Sequence, residues 1–291
     1  MEGVRVLRIA VLPNAEKTEA LVLIKRIMCF FEDKPVKIML PMDIARFYNL
    51  DDYGIFRIDE EPTDLALSIG GDGTLLGVCR RYDTKGVPVC GINIGTLGFL
   101  ADIETDELEI KLAKILSGDY RIEKRLLLSA YVLSGEEKKL IGHAINDVVV
   151  TKDGVARMVS LGLSINDTKL ADFRSDGVIV STPTGSTAYS MSAGGPLMNP
   201  NIQALLVTPI CAHSFFMRPI VIGENDRVHI VIDSLQHDII VTFDGQYSVR
   251  LLPGDSVLVK KSKHQAGIVK FDDKDYYETI KSKLWKNKDR S

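Results

Sequence analysis

The sequence predicts two domains: an α/β N-terminal domain with a largely parallel sheet, followed by an all-β, sandwich-like C-terminal domain. Three observations lead to this fold class. Residues 1–123 alternate short apolar runs with segments whose apolar residues recur at helical spacing, as in a parallel sheet covered by helices. Residues 124–265 contain closely spaced strand-like runs and no long amphipathic helix. Residues 266–291 form a C-terminal segment in which we expect a short helix packing back on the body.

In the N-terminal domain, the predicted strands are short, almost fully apolar runs, typical of strands buried on both faces of a sheet. They lie at residues 8–13, 35–40, 64–69 and 87–92. Helical spacing is found at 20–31 and again in TLLGVCRRY, after the third strand. A further helix is predicted at about 106–116, with Asp106 as its cap and Gly118 as its end.

The C-terminal domain is predicted from a series of short runs, namely LLLSAYVL, AINDVVVT, RMVSLGLSI, KLADFR, GVIVST, ALLVTPI, RVHIVI, DIIVTF and SVLVKK. Tight hairpin turns are expected at Asn166–Asp167 and Asp244–Gly245. In the C-terminal segment, Tyr277, Ile280 and Leu284 fall on one helical face. We therefore expect a short helix that docks through this face and leaves its lysines in water.

Composition predicts a soluble, cytoplasmic protein. Of the 291 residues, 45% are apolar and 26% charged, and the formal net charge is −3, which argues against a nucleic-acid binder that works through bulk electrostatics. The four cysteines form no CxxC pair, as expected of unpaired thiols in a reducing cytoplasm. No run approaches the ~20 apolar residues of a membrane span, and the N-terminus lacks the apolar region of a signal peptide.

The stretch IGGDGTLLG (69–77) follows a predicted strand and opens a predicted helix, which is the position of a phosphate-binding loop. It matches neither the Walker pattern nor the dinucleotide fingerprint GxGxxG. We interpret Gly70, Gly71, Gly73 and Thr74 as a phosphate loop. The alternative is an aspartate that only forms an Asx-type turn between glycines.

Asp72, at the centre of this loop, is informative because a carboxylate about 4 Å from a phosphate charge is repelled by roughly 4 kcal/mol at an effective dielectric near 20. Such an acid becomes useful if it takes the proton of an acceptor hydroxyl while the amides hold the phosphates. A general base of this kind contributes about 10²–10⁴-fold. The loop therefore predicts a kinase with an alcohol acceptor.

A second polar cluster follows the strand GVIVST, within DFRSDGVIVSTPTGSTAYSMSAGG (172–195). Its hydroxyl groups belong to Thr184, Thr187, Tyr189, Ser190 and Ser192. Clustered donors and acceptors beside an apolar strand suit recognition of a base, an amide or ribose hydroxyls. The alternative is a turn that satisfies its own backbone. A serine hydrolase is disfavoured, because the sequence contains neither GxSxG nor SxxK.

Two more segments carry candidate ligand contacts. Asn146 and Asp147 interrupt the apolar strand AINDVVV, so they either face a ligand or lie at a bulge or strand end. GINIGTLGFLAD (91–102) is another glycine-bearing loop after a strand, on the same expected sheet edge as Asp72. Its Phe99 could stack on a flat ring or pack between the domains.

Together these segments resemble the NAD kinase family in order and spacing over nearly the whole chain. The resemblance is carried by GGDGT (70–74), NIGTLGFL (93–100), Asn146–Asp147 and DGVIVSTPTGSTAYSMSAGGP (176–196). GGDGT alone is similar to loops of diacylglycerol and sphingosine kinases and of phosphofructokinases. The resemblance implies an NAD kinase/diacylglycerol kinase-like fold with its site in the crevice between the domains. It also implies transfer of the γ-phosphate of ATP, or of polyphosphate in some members, to the 2′-hydroxyl of the adenosine ribose of NAD, with a divalent cation, expected to be Mg²⁺.

The resemblance also implies roles for individual residues. Asp72 is similar to the family's general base, with Gly73 beside it at the dinucleotide. Asn146 and Asp147 match a pair that contacts NAD, although many members have glutamate in the second place. Asp176 is similar to an acid near the nicotinamide. The other positions that match ligand contacts are Thr187, Ala188, Tyr189, Ser190, Met191 and Ser192 at the adenine part, with Thr184 just before them, and Arg157, Arg174 and Gln246. Because these enzymes are commonly homodimers or homotetramers, Arg157 is expected to reach in from a neighbouring subunit.

Two other functions stay open. A lipid or sugar kinase could share the glycine–aspartate loop, but PTGSTAYS and the lack of a membrane-facing stretch disfavour it. A non-catalytic dinucleotide sensor is disfavoured because binding alone gives no reason to place an acid beside phosphates.

Overall fold

The computed structural model describes residues 6–95, 98–154, 158–213, 217–232, 238–272 and 275–285. The chain divides into two compact units. Unit 1 comprises residues 1–124 and 266–291, and unit 2 comprises residues 125–265. Each unit has a hydrophobic core of its own. In the part of the chain that the structure describes, no helix combines the length and apolar character needed to cross a bilayer.

Unit 1 contains β1 (Leu7–Pro13), α1 (Ala20–Phe31), β2 (Val36–Pro41), α2 (Met42–Phe47), β3 (Gly54–Ile55), β4 (Leu65–Gly70), α3 (Asp72–Arg81), β5 (Val89–Asn93) and α4 (Leu108–Ser117). The strands pair in parallel in the order β5-β4-β1-β2-β3, which confirms the predicted parallel sheet. Gly70 at the end of β4 lies opposite Asn93 at the end of β5. The loops that follow these two strands therefore start side by side at the carboxyl edge of the sheet.

Local signals placed α1, α3 and α4 of unit 1 to within a few residues. α1 has the predicted bounds and buries one face, as its helical spacing requires. α4 ends at Gly118, whose φ of +76° is favoured in glycine. The predicted cap at Asp106 was wrong: Glu107 occupies the N-cap position, and it makes no side-chain cap hydrogen bond. The short elements α2 and β3 were not predicted.

Unit 2 consists mainly of antiparallel strands: β6 (Arg121–Ser134), β7 (Glu137–Ala144), β8 (Asp147–Lys152), β9 (Val159–Ile165), β10 (Thr168–Ser175), β11 (Gly177–Ser181), β12 (Ala204–Ile210), β13 (Ile220–Gly223), β14 (Val228–Ile232), β15 (Ile239–Phe243), β16 (Tyr247–Arg250) and β17 (Ser256–Lys270), with the one-turn helix α5 (Tyr189–Ser192). One sheet has the order β13-β12-β11-β8-β15-β16, and β10, β9, β14 and β17 pair in a second. Apolar side chains of both sheets share one core, which confirms the predicted sandwich. β6 and β17 each run from one unit into the other.

Both predicted hairpin turns are present in unit 2. Asn166 and Asp167 have φ angles of 50° and 69° between β9 and β10, and Asp244 and Gly245 have φ angles of 50° and 64° between β15 and β16. The first pair forms a two-residue loop, because Ile165 pairs with Thr168, whereas in the second hairpin Phe243 pairs with Tyr247 and the loop also includes Gln246. Positive φ angles at two successive residues are typical of type I′ hairpin turns.

The C-terminal segment contains α6 (Tyr276–Ile280), followed by a π-helical turn at Lys281–Trp285. Ile280 is buried, whereas Tyr277 is 62% exposed. The predicted face is therefore only partly buried, since Tyr277 lies in the same helix as Ile280 but faces outward. Lys283 is half-buried, which corrects the expectation that the lysines of this segment lie in water.

Candidate active site

The glycine-rich loop between β4 and α3 leaves an open approach to the N-terminus of a ten-residue helix. The N-cap residue Gly71 has an extended backbone, and a methyl group added there would meet none of the described atoms within 4 Å. At Gly70, an added methyl group would overlap the Thr74 side chain, so the close approach of loop and helix requires glycine. The positive end of a helix with open space in front of it suits an anionic phosphate.

The Asp72 carboxylate is held by the loop after β5. The Phe99 N–H donates to Oδ2 at 2.6 Å, and the N–H groups of Leu100 and Ala101 donate to Oδ1 at 3.1 and 3.3 Å. A carboxylate can accept about four hydrogen bonds. Counting the described residues, one lone pair of Oδ2 is thus left for another group. The carboxylate has a set orientation and retains one accepting position.

Gly98 makes this arrangement possible. A methyl group added at Gly98 would overlap Asp72 Oδ1 and lie 2.6 Å from Asp72 Cγ. The loop can therefore approach the carboxylate only because residue 98 has no side chain. The sequence predicted that the two loops share a sheet edge, but it carried no signal for this contact.

Lys283, from the π-helical turn, contacts the ring of Phe99, whose N–H is one of the three that hold the Asp72 carboxylate. Its Nζ is 4.0 Å from the centroid of the Phe99 ring, a cation–π distance. Burial lowers the pKa of Lys283, and the negative charge of Asp72 acts in the opposite direction. The Phe99 ring therefore has a bound ammonium group as a neighbour, and sequence reasoning missed this lysine.

In unit 2, the pair Asn146–Asp147 lies at the start of β8, where Asp244 organises the backbone. The Asp244 carboxylate accepts hydrogen bonds from the N–H groups of Ile145, Asn146 and Asp147, and the shortest is 2.7 Å to Asn146. Asp147 is only 3% exposed. Its burial, with the charge of Asp244 as a second cause, raises the pKa of Asp147 to about 7. Sequence reasoning treated Asp244 only as a turn residue.

The Asn146 side chain has the character of a ligand-facing group. Its Oδ1 is buried and has no hydrogen-bond partner among the described residues, and such an atom is costly unless something binds it. The turn after β11 packs against the backbone of this residue. The Thr182 N–H donates to the Asn146 carbonyl at 2.9 Å, and a methyl group added at Gly185 would overlap that carbonyl oxygen. The structure thus brings the ND and PTG motifs together.

Several hydroxyl groups of the segment after β11 form hydrogen bonds with other groups of the protein. Ser186 Oγ donates to the Pro183 carbonyl at 2.7 Å and accepts from the Met198 N–H at 2.9 Å. Thr187 Oγ1 donates to the Thr184 carbonyl at 3.3 Å. Ser190 Oγ lies 2.8 Å from Thr208 Oγ1 on β12, and Ser190 is fully buried. The bonds of Ser186 and Thr187 to Pro183 and Thr184 are those of a turn that satisfies its own backbone, whereas Ser190 bonds to a neighbouring strand.

Other side chains of this segment face outward. Tyr189 is 47% exposed and Ser192 is exposed, whereas Ala188 and Met191 are half-buried. Thr184 is buried, at 7% exposure. An exposed aromatic ring above a rigid turn offers a surface on which a flat base can stack.

The remaining predicted contacts are more dispersed. Asp176 pairs with Lys152, with Oδ1 and Nζ 3.1 Å apart. Arg174 is exposed and lines a groove of about 370 Å³ on β9, β10 and β14. Gln246 is exposed in the hairpin turn next to Asp244. Arg157 lies outside the described residues. Over the described ranges, no group of three or more His, Cys, Asp or Glu side chains could hold a metal ion.

Comparison with protein families finds two matching models. The ATP-NAD kinase N-terminal domain matches residues 18–120, and the ATP-NAD kinase C-terminal domain matches residues 145–271.

Individual proteins are similar over most of this chain. The NAD kinase of Moorella thermoacetica is 36% identical over 277 residues, 95% of this chain and 89% of that protein. The NAD kinase of Clostridium perfringens is 42% identical over 247 residues, 84% of this chain and 86% of that protein.

Among solved structures, an NAD kinase from Archaeoglobus fulgidus in complex with ATP has a TM-score of 0.73 and 26% identity, covering 95% of this chain and 98% of that one. Yeast NADH kinase complexed with NADH has a TM-score of 0.86 at 24% identity, covering 96% of this chain and 87% of that one. This similarity is one of fold.

Proposed function

This chain belongs to the NAD kinase family, and we propose that Asp72 is the general base of its phosphoryl transfer. The chain is an NAD kinase, which moves the γ-phosphate of ATP to the 2′-hydroxyl of the adenosine ribose of NAD and forms NADP. A lipid or sugar kinase and a non-catalytic sensor are not favoured by these relationships.

The observation that carries the proposal is the geometry of Asp72. Three backbone N–H groups hold its carboxylate and leave one accepting position on Oδ2. The amides orient the carboxylate without neutralising it, so it can accept a proton from a hydroxyl brought within hydrogen-bond distance. Binding alone would not require such an acid beside a phosphate loop.

In the proposed reaction, the donor's phosphates lie at Gly71 and the N-terminus of α3. The ribose 2′-oxygen attacks the γ-phosphorus and gives its proton to Asp72 Oδ2. The bond between the γ-phosphorus and the β,γ-bridging oxygen breaks, and ADP leaves with that electron pair. We propose that Mg²⁺ arrives as part of the ATP complex, since Mg²⁺ is usually bound through substrate phosphates with one or two carboxylates.

We propose that the dinucleotide contacts unit 2 through the residues that match the family's motifs. The unpartnered Asn146 Oδ1 can accept a hydrogen bond from an amide or hydroxyl of NAD, and Asp147 lies beside it. The segment Thr187–Ser192 offers the exposed Tyr189 ring for the adenine. Arg157, Arg174, Asp176 and Gln246 are proposed as peripheral contacts on the resemblance alone.

The family resemblance also supports three wider proposals. The protein is proposed to act in the cytoplasm and to assemble as a homodimer or homotetramer. Polyphosphate is proposed as an alternative phosphate donor.

The test uses purified protein with ATP, Mg²⁺ and NAD, coupled to a dehydrogenase that responds only to NADP. We expect Asp72→Asn to bind NAD with unchanged affinity and to lose about two to four decades of kcat. Asp106→Asn, the same change at an exposed position of unit 1, is the matched control and should behave as the wild type. Unchanged turnover in Asp72→Asn would remove Asp72 from the base role.

A further inference from the structure

The C-terminal segment brings a positive charge to the loop that holds the Asp72 carboxylate. α6 is capped by Asp275, whose side chain accepts from the N–H groups of Tyr277 and Glu278 at 2.7 and 3.4 Å, and it is anchored by the buried Ile280. The π-helical turn that follows places Lys283 Nζ 4.0 Å from the Phe99 ring centroid. Lys281, two residues earlier, is exposed. Of these two described lysines, the segment holds Lys283 at the ring and leaves Lys281 exposed.

The ring under Lys283 belongs to the loop that orients Asp72. Phe99 donates its N–H to Asp72 Oδ2 at 2.6 Å. The loop is also tied to the end of β17, because Lys270 Nζ donates to the Leu100 carbonyl at 3.0 Å and pairs with Asp102 Oδ1 at 2.9 Å. These contacts lie within unit 1 and give Lys283 a rigid support.

The electrostatics of the reaction require a cation here. If Asp72 takes the proton of the attacking hydroxyl, the transferred phosphoryl group must lie beside its carboxylate. Two such negative charges about 4 Å apart repel by roughly 4 kcal/mol at an effective dielectric near 20. An ammonium that contacts the phosphoryl group offsets this repulsion, and lysine is a common phosphate ligand because it acts as a compact point charge.

We propose that Lys283 binds the terminal phosphate of the donor and so offsets its repulsion from Asp72. The proposal rests on the proposed function, because it takes its donor from that reaction. It assigns the C-terminal segment to the donor site, whereas the dinucleotide contacts of unit 2 do not involve it. The ammonium is held over Phe99 before the donor binds, which reduces the entropy lost on binding.

The experiment compares Lys283→Met, Lys283→Arg and Lys283→Gln with the exposed control Lys281→Met. Initial rates give the KM for ATP, and calorimetric titration with tripolyphosphate in the absence of NAD gives a Kd for the phosphate chain alone. We expect Lys283→Met to raise both constants by about 10- to 100-fold, the loss of one hydrogen bond to a charged group, and to leave the Kd for NAD unchanged. Arginine should restore most of the affinity, and Lys281→Met should match the wild type.

Two results would overturn the proposal. If Lys283→Met behaves like Lys281→Met, Lys283 does not contact the donor. If kcat falls while the tripolyphosphate Kd is unchanged, Lys283 only supports Phe99 and the loop. The glutamine variant keeps a polar side chain and carries the same test if the methionine variant is unstable. Tripolyphosphate binding needs no turnover, so failure of the wild type to form NADP would count against the proposed function and not against this site.

Discussion

Gly98→Ala is the substitution for which the structure predicts the largest effect from the smallest chemical change. The added methyl carbon would lie 2.6 Å from Asp72 Cγ, whereas carbon atoms in contact are separated by about 3.5–4.0 Å. The carboxylate or the loop must therefore move by about 1 Å. Either movement breaks the arrangement in which three backbone amides orient Asp72.

The expected loss of activity in Gly98→Ala follows from this displacement. A misplacement of about 1 Å costs on the order of 10²-fold in rate, equal to roughly 2.7 kcal/mol of activation free energy. The loss of one hydrogen bond to the carboxylate, about 1.5–3 kcal/mol, has the same size. We therefore expect Gly98→Ala to lower kcat about 100-fold while the protein still folds and binds NAD.

A double-mutant cycle tests the cause. NADP formation is measured at saturating ATP and NAD for the wild type, Gly98→Ala, Asp72→Ala and the double variant, with thermal melting as the folding control. If the methyl group acts by displacing the carboxylate, it costs little further activity once Asp72 is alanine, and the two effects are strongly non-additive. Wild-type turnover in Gly98→Ala, or a full 100-fold loss in the Asp72→Ala background, would refute the reasoning.

Two further predictions concern the phosphate loop and the buried acid of unit 2. Gly71→Ala has room in the unliganded protein and costs about 1 kcal/mol as an N-cap change, but its methyl group would occupy the proposed phosphate position. The KM for ATP should rise at least about tenfold with little change for NAD, and an unchanged KM for ATP would exclude donor binding at this loop. Burial raises the pKa of Asp147 to about 7 from a usual 3.8. Between these two pKa values, Asp147 is protonated in the folded protein and ionised in the unfolded chain. The free energy of unfolding should therefore fall as the pH rises from about 4 to 7, by at most about 4 kcal/mol. Asp147→Asn should remove that decline when urea unfolding is compared at pH 5 and pH 8, and equal declines in both proteins would contradict the assignment.

The parts of this structure that could be predicted from sequence are those set by neighbouring residues. Apolar runs at 64–69 and 87–92 led to β4 and β5, and the positive φ angles of Asn166–Asp167 and Asp244–Gly245 are where hairpin signals placed them. The sheet edge then followed from parallel pairing, so the loops carrying Asp72 and Phe99 were expected side by side.

The contacts of the site involve residues far apart in the sequence. Asp244 accepts hydrogen bonds from residues 97 to 99 positions earlier, although its local pattern indicated only a turn. Ser190 looked like a ligand-facing hydroxyl, but its partner is Thr208 on another strand. The helical pattern of the C-terminal segment placed its lysines in water, whereas the π turn directs Lys283 to Phe99.

By itself, the sequence determined the fold class, the glycine loop and the presence of an acid suited to be a base, because periodicity, turn preferences and backbone sterics act over a few residues. Only the tertiary structure decided what surrounds that acid. The three amides on Asp72, the close approach of Gly98 and the ammonium of Lys283 come from segments joined by sheet register and chain topology. No local pattern encodes these distances, so the loop IGGDGTLLG predicts an acid and the fold supplies its partners.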